Sequence, residues 1–271
     1  MTQKDESITA EKIALKTQSI TLGYEDKVIA KNLNVEVPTG KFTVIVGPNG
    51  CGKSTLLKAL SRLLPPQTGK ILLNGENIHA QSTRDVAKKL GLLPQTAIAP
   101  SGIKVMDLVS RGRFPHQKWF QPWSVIDQQA VDIAMQATGV ENLSQHYVDQ
   151  LSGGQRQRVW VAMALAQETS LLLLDEPTTY LDIAHQIELM DLFQDLNQLK
   201  GHTLVAVLHD LNHACRYADH LIMMKEGEII TTGSPSDIIN ETMIEQVFGL
   251  PCLVVDDPIS GTPLVIPRGR K

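Results

Sequence analysis

Apolar and polar positions along this chain follow two periods. Phe42, Thr43, Val44, Ile45 and Val46 form a continuous β-rich run, which predicts a strand buried on both faces. Residues 54–64 place Leu56, Leu57, Leu60 and Leu63 at helical spacing, predicting a helix with one apolar face. Residues 20–37 mix β-branched residues with a turn signal at Gly23, Tyr24, Glu25 and Asp26, predicting short strands around it. Further strands are expected at 71–73 and 90–93. Between about 97 and 150 the texture turns helical, with helices expected at 105–112 and 126–139. An aromatic, proline-rich turn runs between them from Phe114 to Trp123.

From Ser152 a helix is expected to about 167, then a buried strand at 171–174. A long amphipathic helix follows, with Ile183, Ile187, Met190, Phe193 and Leu196 three to four residues apart. Another buried strand is expected at 203–208. Beyond 220 come short strands, a helix near 241–248 and a β-like tail. Strands alternating with helices of this length predict an α/β fold, a mostly parallel sheet covered on both faces with a helical lobe inserted.

Composition narrows the partners. The 271 residues carry 25 Lys+Arg against 29 Asp+Glu, a net charge of −4, which argues against a nucleic-acid partner. Three cysteines, Cys51, Cys215 and Cys252, have no metal-ligand spacing, and an odd count suits a reduced setting. Residues 1–16 lack the apolar core of a signal peptide. The longest apolar run, residues 159–166, has eight, well short of the roughly 18 a membrane span needs. Work on a membrane would require a span from another chain.

Two glycine-rich segments carry candidate chemistry. Gly47, Pro48, Asn49, Gly50, Cys51, Gly52, Lys53 and Ser54 follow an expected strand and open an expected helix. This is the context of a phosphate-binding loop. Glycines let backbone amides approach phosphate oxygens, and the helix start adds a positive field. Lys53 supplies a charge, the Ser54 hydroxyl is placed for Mg²⁺, and Thr55 reaches inner phosphates. Cys51 reads as a small residue that fits the loop. Asp175 and Glu176 end an apolar run, which puts two carboxylates at the edge where parallel sheets bind ligands. Asp175 is the Mg²⁺ candidate, and Glu176 the candidate base for the attacking water. The second segment is Leu151, Ser152, Gly153, Gly154 and Gln155. Ser152 is a natural N-cap and the glycines leave amides open, so it reads as a second anion-binding helix start.

With these segments in this order, the chain resembles the ATP-binding-cassette ATPases from about residue 20 to 267. The resemblance implies a P-loop core with an N-terminal antiparallel β subdomain, at about 18–96 and 158–250. It implies a helical lobe including the signature at about 97–157 and a short tail at 251–271. It implies that Leu151 to Gln155 is the signature closing on the γ-phosphate held by a second copy, so that two copies sandwich two ATP molecules. It further implies that Tyr24 stacks on adenine, that Gln95 senses Mg²⁺ and water, that Asp182 lies on the dimer-interface loop, and that His209 contacts the γ-phosphate. Tyr180 departs from the small residue common at that position.

Within the family, DNA-end proteins carry coiled coils between loop and signature, and ribosomal members carry two cassettes; this chain has neither. Exporters commonly fuse the span to the cassette. A separate importer subunit fits best, with an iron–sulfur assembly scaffold as the alternative from another class. Residues 111–116, 178–186, 208–218 and 256–263 resemble the ATPase subunits of iron-chelate and vitamin B12 importers, and most of all ferric-siderophore importers of the ferric enterobactin kind. Haem or vitamin B12 remain alternative cargoes. The implied partners are a second copy, permease subunits in the membrane and a periplasmic-type binding protein, with this chain peripheral on the cytoplasmic face. Trp119, Phe120 and Trp123 are a candidate exposed patch for the permease.

Overall fold

The computed structural model describes residues 12–25, 27–96, 98–117, 122–179 and 181–269. In chain order the elements are β1 (Ile13–Tyr24), β2 (Lys27–Leu33), β3 (Glu36–Pro38), β4 (Phe42–Val46), α1 (Lys53–Leu60), β5 (Thr68–Leu73), β6 (Glu76–Asn77), α2 (Thr83–Ala87) and β7 (Leu90–Leu93). Then come α3 (Val105–Ser110), α4 (Val125–Ala137), α5 (Gly153–Ala166), β8 (Leu171–Asp175), α6 (Ile183–Gln198), β9 (Thr203–Val207) and α7 (Leu211–Tyr217). The chain closes with β10 (His220–Lys225), β11 (Glu228–Gly233), α8 (Pro235–Ile238), α9 (Glu241–Phe248), β12 (Cys252–Asp256) and β13 (Pro263–Pro267). Trp119, Phe120 and Tyr180 lie outside the described residues.

The central sheet has the order β11-β10-β4-β9-β8-β7. Its pairs are parallel from β10 through β7, and β11 is antiparallel on one edge. This is the parallel α/β core that alternating strands and helices predict. Its strands are buried on both faces, and the period of two sorts their side chains. Phe42, Val44 and Val46 join Leu172, Leu174, Leu204 and Ala206 in a core shared with α5, α6 and the helices of residues 105–137. Ile45, Leu171, Leu173, Val205 and Val207 face the other way. There they pack with Leu56, Leu57 and Leu60 of α1 and with the second, antiparallel sheet, centred on β1. Each fully buried aliphatic side chain in these layers contributes about 1.5–3 kcal/mol.

Two expected core positions are corrected. Leu63 is 65% exposed. Helix α1 ends at Leu60, and Arg62 turns left-handed at φ 67°, which swings Leu63 off the apolar face. Ile183 is 79% exposed although its spacing matches Met190 and Phe193. It stands in the first turn of α6, ahead of the stretch where Leu189, Met190, Phe193 and Leu196 meet the sheet. The N-terminal strand also starts earlier than expected, at Ile13, because pairing with β3 and β5 extends it. Among the described residues no helix is long and apolar enough to cross a membrane.

Candidate active site

The loop from Gly47 to Ser54 connects β4 to α1. Gly47 sits at φ 156°, and a Cβ there would lie 2.1 Å from the Met224 carbonyl oxygen. Strand β10 thus roofs the loop so tightly that only glycine fits. Helix α1 begins at Gly52, whose φ is 105°, with no side-chain cap; its first amides stay open toward the loop. Lys53 is buried, and its Nζ donates to the carbonyls of Gly47 (2.8 Å) and Pro48 (3.0 Å). The ammonium is therefore held inside the loop by the loop's own backbone. The Gly227 amide donates to the Cys51 carbonyl at 3.1 Å. Asn49 and Gly50 are exposed at the tip. All three cysteines are free and buried. Burial raises the Cys51 and Cys252 thiols and pushes Cys215 up to about 12, so all three are packing residues with little thiolate.

Strands β4 and β8 flank β9, so the residues after β8 emerge beside the loop. The Asp175 carboxyl is raised above the usual range, chiefly by burial. A hydrogen bond with the Ser54 side chain opposes that shift and the neighbouring Glu176 charge adds to it. Asp175 Oδ1 is buried without a hydrogen-bond partner.

Glu176 follows in a left-handed conformation, φ 50°, which is costly for a residue with a Cβ. Three side chains hold it there. Gln95 Nε2 donates to Oε2 at 2.5 Å, and Thr179 Oγ1 donates to the same oxygen at 3.3 Å. His209 Nε2 lies 2.6 Å from Oε1. Gln95, Glu176 and His209 come just after β7, β8 and β9, three adjacent strands. The structure thus brings together Ser54, Asp175, Glu176, Gln95 and His209, with Lys53 and Thr55 on the same helix as Ser54. Tyr24 is 44% exposed at the tip of the β1–β2 hairpin. That hairpin's Ile29 comes within 3.4 Å of where a Gly52 Cβ would be.

Different elements surround the second glycine segment. Leu151 is buried, and Ser152 caps α5. Its Oγ accepts from the Gln155 amide at 3.2 Å, and the Gln155 side-chain oxygen accepts from the Ser152 amide at 3.1 Å, a reciprocal capping box. The position of a Gly153 Cβ is open space. A Cβ on Gly154 would meet the His185 ring at 3.3 Å. Asp182 caps α6, accepting from the His185 amide at 3.0 Å and meeting that ring's Nδ1 at 2.7 Å. The His185 amide, then its ring, hold the Asp182 carboxyl below the usual range. Gln157 Nε2 donates to the Pro177 carbonyl at 2.9 Å, tying α5 to the segment that follows Glu176. Local patterns missed Gln157, Thr179, His185 and the Met224 carbonyl. The first three flank recognisable segments, whereas a carbonyl from β10 leaves no signal in the sequence.

Mg²⁺ fits this donor set. A hard cation takes oxygen ligands, and Asp175 offers a buried unpaired oxygen beside the Ser54 hydroxyl. A strand, a glycine loop with a buried lysine and an acid pair at the end of β8, one strand removed from β4, define a P-loop nucleoside-triphosphatase core. Residues 30–179 match the family model described as ABC transporter. The chain belongs to that family and is one of its ATP-hydrolysing cassettes.

Similar proteins share nearly the full length. The chain is 56% identical to the ferric enterobactin transport ATP-binding protein FepC of Escherichia coli (strain K12), covering 94% of each chain. It is 52% identical to the achromobactin transport ATP-binding protein CbrD of Dickeya dadantii (strain 3937), over 95% of this chain and 96% of that one. Among solved structures, the dimeric bacterial ABC transporter cassette MJ0796 superposes with a TM-score of 0.72 at 28% identity, covering 81% of this chain and 98% of that one.

Proposed function

We propose that this chain energises a binding-protein-dependent membrane importer of ferric siderophores of the catecholate, enterobactin-like kind. The convergence of Gln95, Glu176 and His209 beside the Gly47–Ser54 loop carries the catalytic reading. The cargo reading is supported by relatives named for ferric enterobactin and achromobactin transport.

In this reading the loop from Gly47 to Thr55 cradles the phosphates of ATP with its amides, and Tyr24 stacks on the adenine. Lys53 leaves its two carbonyls for the outer phosphates, a stronger, charge-assisted partner. Ser54 and Asp175 would hold Mg²⁺, with Gln95 facing it, and an ion bound there would neutralise phosphate charge. Glu176 accepts the proton of the attacking water, Gln95 and His209 fix that carboxylate, and His209 reaches the γ-phosphate. Catalysis is then positioning plus charge stabilisation.

Leu151 to Gln155 serves the nucleotide of a second copy. One chain has two anion-binding helix starts set among different elements, and a two-fold pair satisfies both. Asp182 lies on the loop crossing that interface. The dimeric cassette among the similar structures supports this arrangement. The chain sits on the cytoplasmic face of the membrane against permease subunits, with the aromatic turn that includes Trp123 as a contact, and a periplasmic-type binding protein delivers the cargo.

The test is uptake of ⁵⁵Fe-labelled enterobactin by cells or vesicles that depend on this chain. ATP-dependent uptake lost on Lys53→Ala is expected. Uptake of haem or cobalamin without ferric catecholate overturns the cargo; association with a soluble assembly scaffold and no membrane partner overturns the importer.

A further inference from the structure

Arg113 lies just before the exposed Phe114, far in sequence from either glycine segment, yet its side chain is only 3% exposed. Its Nε meets Asp127 Oδ1 of α4 at 3.0 Å. Its Nη1 donates to the Ala166 carbonyl at 2.8 Å and to Glu168 Oε2 at 2.6 Å. Ala166 is the last residue of α5, the helix that Ser152 begins. A guanidinium at that carbonyl also complements the negative end of the helix.

The same corner is tied to the body of the molecule. Gln167 Nε2 donates to the carbonyls of Ala87 (2.6 Å) and Leu90 (3.3 Å). His116 Nε2 bonds the Gln167 carbonyl at 2.8 Å. Arg84 of α2 donates to the Pro115 carbonyl at 2.8 Å and also to the Gln117 carbonyl. A Cβ on Gly112 would stand 2.2 Å from the Met163 carbonyl, so the turn is pressed against α5. The Ala166 end of α5 is thus knotted to α2, α4 and β7. At the other end, about 21 Å away at 1.5 Å per residue, Ser152 and Gly153 are exposed.

We propose that Arg113 is a positioning residue for hydrolysis: by pinning the Ala166 end of α5 to α4, it sets where the Ser152 end meets the second copy's nucleotide. This rests on the reading of Ser152 to Gln155 as a phosphate-facing segment. Arg113 touches neither nucleotide nor loop. Core packing of Val159 to Ala166 makes α5 move as one rod, so a tilt at its Ala166 end reaches the Ser152 end as displacement, and phosphate stabilisation is sensitive to such displacement. The planar fork matters because a lysine cannot serve the Asp127, Ala166 and Glu168 acceptors together in this geometry.

The test uses the transporter reconstituted with its permease. Arg113→Lys is expected to lower kcat for ATP hydrolysis about tenfold while the Kd for ATP stays within twofold. Glu168→Gln, at a half-exposed partner that does not threaten folding, is expected to lower kcat two- to threefold with the same Kd. A purely structural arginine predicts the opposite split: less folded protein and a lower Tm, but unchanged kcat per folded molecule in both variants, and that result overturns the proposal. Ser152→Ala serves as the reference. If it slows hydrolysis while both Arg113→Lys and Glu168→Gln do not, the pin alone fails; if it too leaves kcat intact, the signature reading fails and takes the pin with it.

Discussion

The two glycine-rich helix starts of this molecule are built in opposite ways. Helix α1 begins at a left-handed glycine with no side-chain cap, under a roof of β10 backbone, with a buried lysine in the loop. Helix α5 begins with a complete capping box, an exposed serine and glycines that meet open space or a histidine ring. The first leaves its amides without side-chain partners and is stable because the sheet and the lysine hold it. The second satisfies its own end and exposes Ser152. In the proposed function one start is a container and the other a lid.

Breaking the catalytic side of the container gives the largest effect. Glu176→Gln keeps the hydrogen-bonding shape but removes the base, so turnover should fall about 10²- to 10⁴-fold while ATP still binds. Single-turnover hydrolysis beside equilibrium nucleotide binding checks this, and near-normal turnover rules out the base. Gly47→Ala comes next. Its Cβ would collide with the Met224 carbonyl at 2.1 Å, so the loop or β10 must shift, at about 1–3 kcal/mol. Nucleotide binding should be lost and Tm lowered, readable by calorimetry with and without Mg²⁺-ATP.

The lid should respond differently. Ser152→Ala removes the cap and costs about 1 kcal/mol. The Kd for ATP at the loop should hold within twofold while hydrolysis by the assembled pair falls. Equal losses in binding and hydrolysis would erase the contrast between the two helix starts.

The smallest effect lies away from both. Asp257, in the turn between β12 and β13, is held down to about 2, first by the Ile259 amide and then by the Arg216 guanidinium. A carboxylate depressed in the folded state stabilises above its unfolded pKa, near 4, and that contribution is lost as pH falls toward 2. Asp257→Asn should therefore lower Tm at pH 7, and the gap from the parent should close between pH 4 and 2. A gap that stays constant with pH would show that ionisation of this carboxyl adds nothing to stability.

The container was largely legible along the chain. Phe42 to Val46, the glycine loop, Lys53 and the acid pair lie in short contiguous stretches, where strand period and glycine spacing express the geometry directly. The lid was legible as a helix start, because Ser152 and Gln155 stand at capping-box spacing. What surrounds it was not: His185 and Gln157 reach their contacts through the packing of α5 on α6 and on the turn after β8. The same limit explains Ile183, whose periodicity matched a buried face that the neighbouring layers do not extend to cover, whereas Leu63 is lost because α1 ends at Leu60 and Arg62 turns left-handed.

By itself the sequence determined the main strands and helices of the α/β core and singled out the glycine loop and the acid pair, because those follow from local periodicity and backbone chemistry; the short helices α2, α7 and α8 were not among them. Only the tertiary structure decided that Gln95, Glu176 and His209 meet, that Met224 closes over Gly47, and that Arg113 grips the far end of α5. Those contacts join residues dozens to more than a hundred positions apart, and strand order and layer packing, not local preference, set their distances.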